Sequence, residues 1–330
     1  MRSLWLMVAG ILAIAILLIA NLSGKLKFAN SSLVLAEINA NGKWNPPDSN
    51  QIPHTAEGDL IRYGKRLIAH TSRFIGPKGS VASLSNGMNC QNCHLDAGAR
   101  VFGNNYSAVN STYPKFRDRS GTIESIYKRI NDCVERSLHG KSLDTLSREM
   151  QAIRAYIVWL GQKVQKNIKP SGAGITDLPF LNQAADPEKG HFIYMQQCQR
   201  CHGQHGEGLL YPDSAEYVYP PLWGNQSYTS AAGLHRITRL AGYVKDNMPF
   251  GASTHFNPQL TDTESWDVAA FIISQPRPEI KFEKDWPDKS RKPIDYPYGP
   301  YMDSFSERQH QYGPFIPILA FRKRLAGTKP

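Results

Sequence analysis

Beyond residue 56 the apolar positions of this chain recur at helical spacing in four stretches. Leu60, Ile61, Gly64, Leu67 and Ile68 trace one face of a first helix. Asp186-Pro187-Glu188 opens a second, with Gly190 and Tyr194 on its face, because a carboxylate cap followed by proline suits a first helical turn. Leu146, Met150, Ile153, Ile157 and Leu160 mark a third stripe, and Trp266, Ala269, Ala270 and Ile273 a fourth. Thr261 and Glu264 form a capping box ahead of that last stripe. The order is an opening helix, a long irregular stretch and a closing helix, twice over. Thr122 to Leu138 reads as a further, largely helical segment inside the first copy. Gly64 and Gly190 are expected where each closing helix passes close by, near Tyr156 and Phe271.

Punctuation residues divide the chain. Lys169-Pro170-Ser171-Gly172-Ala173-Gly174 is a linker, so a boundary falls near residue 175. Ala40 to Pro53, with Trp44-Asn45-Pro46-Pro47, reads as a polar tether. Past Pro276 the chain is rich in Pro, Tyr and charge and is expected to wrap the outside as irregular structure. The expected organisation is an N-terminal targeting segment (1–24), a tether (25–56), a first domain (57–174), a second domain (175–280) and a tail (281–330).

Leu4 to Ala20 is an unbroken apolar run behind Met1-Arg2-Ser3 and reads as an export signal or an N-terminal membrane anchor. Its helical length of about 26 Å falls a little short of the hydrocarbon core and exceeds a usual signal core. Asn21-Leu22-Ser23-Gly24 lacks a convincing small-x-small cleavage site, which favours the anchor. Either reading puts the rest of the chain outside the cytoplasm, in a bacterial periplasm, soluble or tethered to the inner membrane.

The chemistry enters with the cysteines. Four of the five stand in Cys90-Gln-Asn-Cys93-His94 and Cys198-Gln-Arg-Cys201-His202. Two thiols at that spacing add to haem vinyl groups as thioethers, and the following His places a nitrogen under the iron. A zinc site built from two Cys pairs needs no His after each pair and keeps its pairs closer together. Two covalently bound haem c groups are expected, with His94 and His202 as iron ligands. Each opening helix leads into one motif, and the layout of helix, haem motif, loop with distal ligand and closing helix resembles the class I cytochrome c domain. The expected fold is therefore all-α, with two such domains in tandem and an irregular C-terminal tail.

Met248, in the turn-like Asn247-Met248-Pro249-Phe250-Gly251, is the expected distal ligand of the second haem, ahead of Met302 and His235. At the equivalent place in the first half stands the fifth cysteine, Cys133, with His139 as its rival. In a helix, Arg129, Cys133, Arg136 and Ser137 fall close to one stripe, so two guanidiniums are expected to flank the sulfur. That setting lowers a thiol pKa and binds an oxyanion by charge-assisted hydrogen bonds. The formal charge of +10 agrees with a small anionic substrate or an acidic protein partner, and about four haem propionates leave the molecule basic. No nucleic-acid partner is expected.

Three segments together resemble the dihaem thiosulfate dehydrogenases, the TsdA family. They are Asn86-Gly87-Met88-Asn89 before the first haem motif, Arg129-Ile130-Asn131-Asp132-Cys133-Val134-Glu135-Arg136-Ser137, and Tyr298-Gly299-Pro300-Tyr301 with Gln309-His310-Gln311-Tyr312-Gly313-Pro314-Phe315. The resemblance implies that His94 and Cys133 are the axial pair of a catalytic haem, with Arg119, Arg129 and Ser137 lining its substrate pocket. It implies that His202 and Met248 hold a second haem, which passes electrons to an external partner such as a c-type cytochrome. The implied reaction joins two thiosulfates into tetrathionate, or runs in reverse. Some members carry Lys directly before the distal Met and exchange the two as ligands; here Asn247 stands there, so Met248 is expected to stay bound in both redox states. The rival readings are a plain electron carrier, a sulfur-oxidation cytochrome that conjugates thiosulfate to a carrier protein, and a dihaem peroxidase.

Overall fold

The computed structural model describes residues 44–212 and 216–327. The apolar run Leu4–Ala20 lies outside the described residues, within which no helix is long and apolar enough to cross a membrane. In the first half, α1 (Ala56–Ala69) begins where Thr55 Oγ1 accepts the Gly58 N–H. A hairpin of β1 (Lys115–Arg117) and β2 (Thr122–Glu124) follows, then α2 (Ile126–Ser137) and α3 (Arg148–Leu160). The second half holds α4 (Pro187–Gln197), a short antiparallel pair of β3 (Leu209–Leu210) and β4 (Tyr217–Tyr219), α5 (Ile237–Asn247) and α6 (Asp262–Ser274). Short helical turns carry the two haem motifs, at Cys90–Asn92 and Gln199–His202.

Each half closes in the same way. A Cβ on Gly64 of α1 would lie 1.9 Å from the Ala152 carbonyl oxygen of α3 and 2.9 Å from Tyr156 Cβ. One on Gly190 of α4 would lie 1.9 Å from the Asp267 carbonyl oxygen of α6 and 2.9 Å from Phe271 Cβ. Only a residue without a side chain admits backbone approach of that kind. Both expected crossings are therefore present at the expected partners. Around them lie two separate apolar cores, one with Leu67, Ile68, Met150 and Tyr156, the other with Tyr194, Trp266, Val268 and Ala269. The capping box of Thr261 and Glu264 is reciprocal, each accepting the other's backbone N–H.

Four local expectations change. The segment from Thr122 is not helical until Ile126: Thr122–Glu124 pairs with β1, and Ser125 caps α2 by accepting the Lys128 N–H. Leu146 lies outside α3, 84% exposed, because Ser147 is the cap that starts the helix. The supposed tether is anchored at two points: Trp44 and Ile52 are buried, and Trp44 Nε1 donates to the Leu160 carbonyl. The tail is irregular only in its first part. It then forms α7 (Glu307–Tyr312) and α8 (Ile316–Gly327), and drives Phe315 and Ile318 into the second core.

The halves touch through polar ties. The buried Glu216 accepts from His70 Nδ1 at 2.7 Å and Asn89 Nδ2 at 3.0 Å, and pairs with Arg73. Thr229 Oγ1 donates to the Arg136 carbonyl at 2.7 Å, near the end of α2. Tyr243 Oη of α5 donates to the Asn92 carbonyl inside the first haem motif.

Candidate active site

Both motif histidines are oriented from behind. His94 Nδ1 bonds the Asn104 carbonyl, and His202 Nδ1 the Pro220 carbonyl at 2.8 Å, which fixes each ring and turns Nε2 towards the space in front. Tyr106 stacks on His94 with centroids 4.5 Å apart. Burial holds the His202 pKa below its ordinary value, so its imidazole is neutral and able to coordinate.

Cys198, Cys201 and His202 share one cavity of about 270 Å³ with Met248, Leu222, Leu234, Leu240, Val244 and Ile272, and Met88, Cys93 and Leu95 of the first half close it from the other side. A mostly apolar slot with two thiols, an imidazole and a thioether suits a flat apolar macrocycle with iron at its centre. Met248 follows the last turn of α5, its N–H bonded to the Val244 carbonyl, and Pro249 ends the helix there. Asn247 is buried and donates to the Phe102 and Tyr243 carbonyls, and Lys245 is paired with Asp262 at 2.7 Å. Neither side chain is poised to replace the thioether. His235 turns to Tyr298 in a different cavity.

In the first half the sulfur is carried in mid-helix. Cys133 sits one turn beyond Arg129 on α2, and Arg129 Nη1 lies 3.0 Å from its Sγ. His94 is close enough to act on the charge of the same sulfur, which brings the motif imidazole and the helix thiol into one site. Burial raises the thiol pKa, but the Arg129 guanidinium and His94 outweigh it and bring Cys133 down to about 6. Three cysteines of the haem motifs behave oppositely. Burial pushes Cys90 up to about 11 and Cys93 and Cys198 up to about 12. His139, the rival ligand, is exposed beyond the end of α2.

The basic residues divide. Arg129 is held above its ordinary pKa, chiefly by the Cys133 charge. Burial, with Arg136 next, lowers Arg119 to about 10, and Arg129 also bears on it, which puts the three guanidiniums in one region. Arg136 does not flank the sulfur as expected. Asp285 of the tail takes it at 2.6 and 2.8 Å, and Phe282 lies under its guanidinium at 3.7 Å. The cause is a partner outside the helical pattern. Ser137 is half-buried, one turn beyond Cys133.

Two residues join this region without a sequence signal. Tyr113 is 5% exposed, its hydroxyl has no hydrogen-bond partner, and its pKa, raised by burial, also responds to Arg129 and Cys133. Trp286 of the tail lies 5.4 Å beneath the Arg119 guanidinium, and its indole N–H and Arg119 Nε are both buried without acceptors. No periodicity marks either position. The site therefore collects unsatisfied donors and positive charge around one activated thiol, a setting for an oxyanion carrying reactive sulfur.

Fold and motifs together define a haem-binding c-type cytochrome. Residues 80–164 match the family described as SoxA/TsdA, cytochrome c domain, and residues 185–272 match that described as cytochrome c oxidase, cbb3-type, subunit III. A thiosulfate dehydrogenase of Psychrobacter arcticus is 34% identical over 73% of this chain and 71% of its own length. One of Allochromatium vinosum is 34% identical over 70% of this chain and 83% of its own. The solved thiosulfate dehydrogenase TsdBA of Marichromatium purpuratum superposes with a TM-score of 0.68 at 32% identity. That match covers 76% of this chain and 53% of the other, so this chain spans about half the length of that protein. The chain belongs to the thiosulfate dehydrogenase family.

Proposed function

We propose that this chain is an extracytoplasmic dihaem enzyme that oxidises two thiosulfate dianions to tetrathionate and releases two electrons, in a reversible reaction. The observation that carries the reading is the Cys133 thiol, placed opposite His94 and beside Arg129 where the second half uses a methionine. His94 and Cys133 would hold one haem iron, and His202 and Met248 the other. Each haem supplies a one-electron sink, so two match the stoichiometry.

The chain's own residues do the rest. Arg129, with Arg119 and the hydroxyls of Tyr113 and Ser137, binds the sulfonate oxygens and offsets the repulsion between two dianions meeting at one sulfur. Arg129 also keeps Cys133 as thiolate, the form that exchanges with sulfur–sulfur bonds. The thiolate joins the outer sulfur of the first thiosulfate with loss of two electrons, giving a cysteine-bound sulfonated disulfide. A second thiosulfate attacks that outer sulfur, tetrathionate leaves, and Cys133 departs as thiolate. Atoms and charge balance across the two steps. The electrons pass to an external acceptor such as a c-type cytochrome. The test is to mix oxidised holoprotein with thiosulfate and assay tetrathionate together with haem reduction. One tetrathionate per two haems reduced is expected; a protein that stays oxidised and forms no tetrathionate refutes the reading.

A further inference from the structure

The second half contains a buried cluster of unsatisfied polar atoms that the sulfur chemistry does not use. Tyr228 and His235 are 3% and 4% exposed, and Tyr228 Oη, His235 Nδ1 and Arg277 Nε all lack hydrogen-bond partners. The Arg277 guanidinium lies 4.5 Å over the Tyr228 ring. Each terminal nitrogen donates to one carbonyl, Nη1 to Leu222 and Nη2 to Ile272, and the Nε–H has no acceptor. His235 uses Nε2 on Tyr298 Oη at 3.1 Å. Arg277 has no carboxylate within salt-bridge distance among the described residues.

Position gives the cluster its meaning. Tyr228, Leu222, Leu234 and Ile272 line the cavity of Cys198, His202 and Met248, which Cys93 of the first motif also borders, and Tyr228 packs on its other side with Met88 next to Cys90 and Cys93. His235 and Arg277 line a neighbouring cavity of about 260 Å³, with Glu279 also on its wall. The cluster is thus the partition between an apolar slot and a polar one. Buried donors without acceptors and a guanidinium without a salt-bridged carboxylate cost stability unless an anion completes them. A haem in the apolar slot brings carboxylates on its rim.

We propose that Arg277, Tyr228 and His235 form the seat for a propionate of the haem attached at Cys198 and Cys201. Charge neutralisation by Arg277 then favours the ferrous state and holds the potential of this haem up. The proposal rests on haem attachment in the second half and not on thiosulfate chemistry, so either can fail alone.

The test is spectroelectrochemical titration of full-length holoprotein without thiosulfate, with resonance Raman of the propionate bending modes. Arg277→Gln is expected to lower the ferrous-to-ferric ratio of the methionine-ligated haem about tenfold at fixed ambient potential, equivalent to about 59 mV for one electron. Arg277→Lys should keep most of that ratio, and Tyr228→Phe, which sacrifices no bond within the protein, should shift the propionate mode with a smaller change in potential. Variants with full haem content and an intact methionine–iron band that titrate and scatter as wild type overturn the proposal. So does a shift confined to the other haem, or one that appears only when sulfate is added, which would assign the seat to a free oxyanion.

Discussion

In each half an imidazole from a haem motif shares its site with a sulfur from a later helix, yet the two sulfurs live in opposite surroundings. Met248 follows the end of α5 and packs among Leu95, Ile175, Leu234 and Tyr243. Cys133 is inside α2, with a guanidinium 3.0 Å away and a shifted thiol. In the proposed enzyme the surroundings of Met248 would keep a ligand in place, and those of Cys133 would keep a nucleophile charged. On that reading one scaffold would separate electron transfer from bond making by what surrounds an otherwise similar atom.

Removing the nucleophile should have the largest effect. Cys133→Gly is expected to lower thiosulfate oxidation by about three orders of magnitude or more while both haems stay attached. Cys133→Met makes the first site a copy of the second and should also leave a cytochrome that transfers electrons without forming tetrathionate. Normal turnover in either variant would dissolve the contrast between the halves. Next comes Arg129→Gln. Loss of one charge-assisted bond of about 1.5–3 kcal/mol should reduce kcat/KM about 10- to 100-fold, with no comparable change for a donor that reduces only the second haem.

Stability tests probe what the halves share. Gly64→Ala and Gly190→Ala force a methyl against a carbonyl oxygen, and each should cost about 1–3 kcal/mol, read as a lower denaturation midpoint. Unequal costs would show that the two helix crossings differ in how far they can yield. The smallest effect is expected at the tie between the halves. Burial would raise the Glu216 pKa, but the bonds and charges of His70 and Arg73 dominate and hold it below its ordinary value. A depressed carboxylate pKa stabilises above the ordinary range and loses that contribution as pH falls through the folded value. Glu216→Gln should therefore cost about 1 kcal/mol near neutral pH and almost nothing in strong acid, measured by denaturation at both.

The repeating frame was legible because helices announce themselves locally. The stripe through Leu67 and Ile68, the cap at Asp186 and the capping box at Thr261 all act within a few residues, and the glycine pair pointed to its own partners. The stripe of Arg129, Cys133 and Ser137 survived the loss of the helix before Ile126, since their spacing lies wholly within α2. What escaped were contacts made by aperiodic segments. Asp285 and Phe282 capture Arg136, Trp286 lies beneath Arg119, and Tyr113 enters the site from a stretch with no pattern. A tail that folds by packing against finished domains leaves no period in its own residues.

Cys93, one of the thiols that would fasten the first porphyrin, and Met248, the proposed ligand at the second, border the same small cluster of Leu95, Ile175, Leu234 and Tyr243. In the proposed enzyme this patch of oily contact would be the conductor. Tunnelling through closely packed atoms needs neither a diffusing shuttle nor a hinge, and hollowing the patch out should slow passage between the centres while leaving the chemistry at each end untouched.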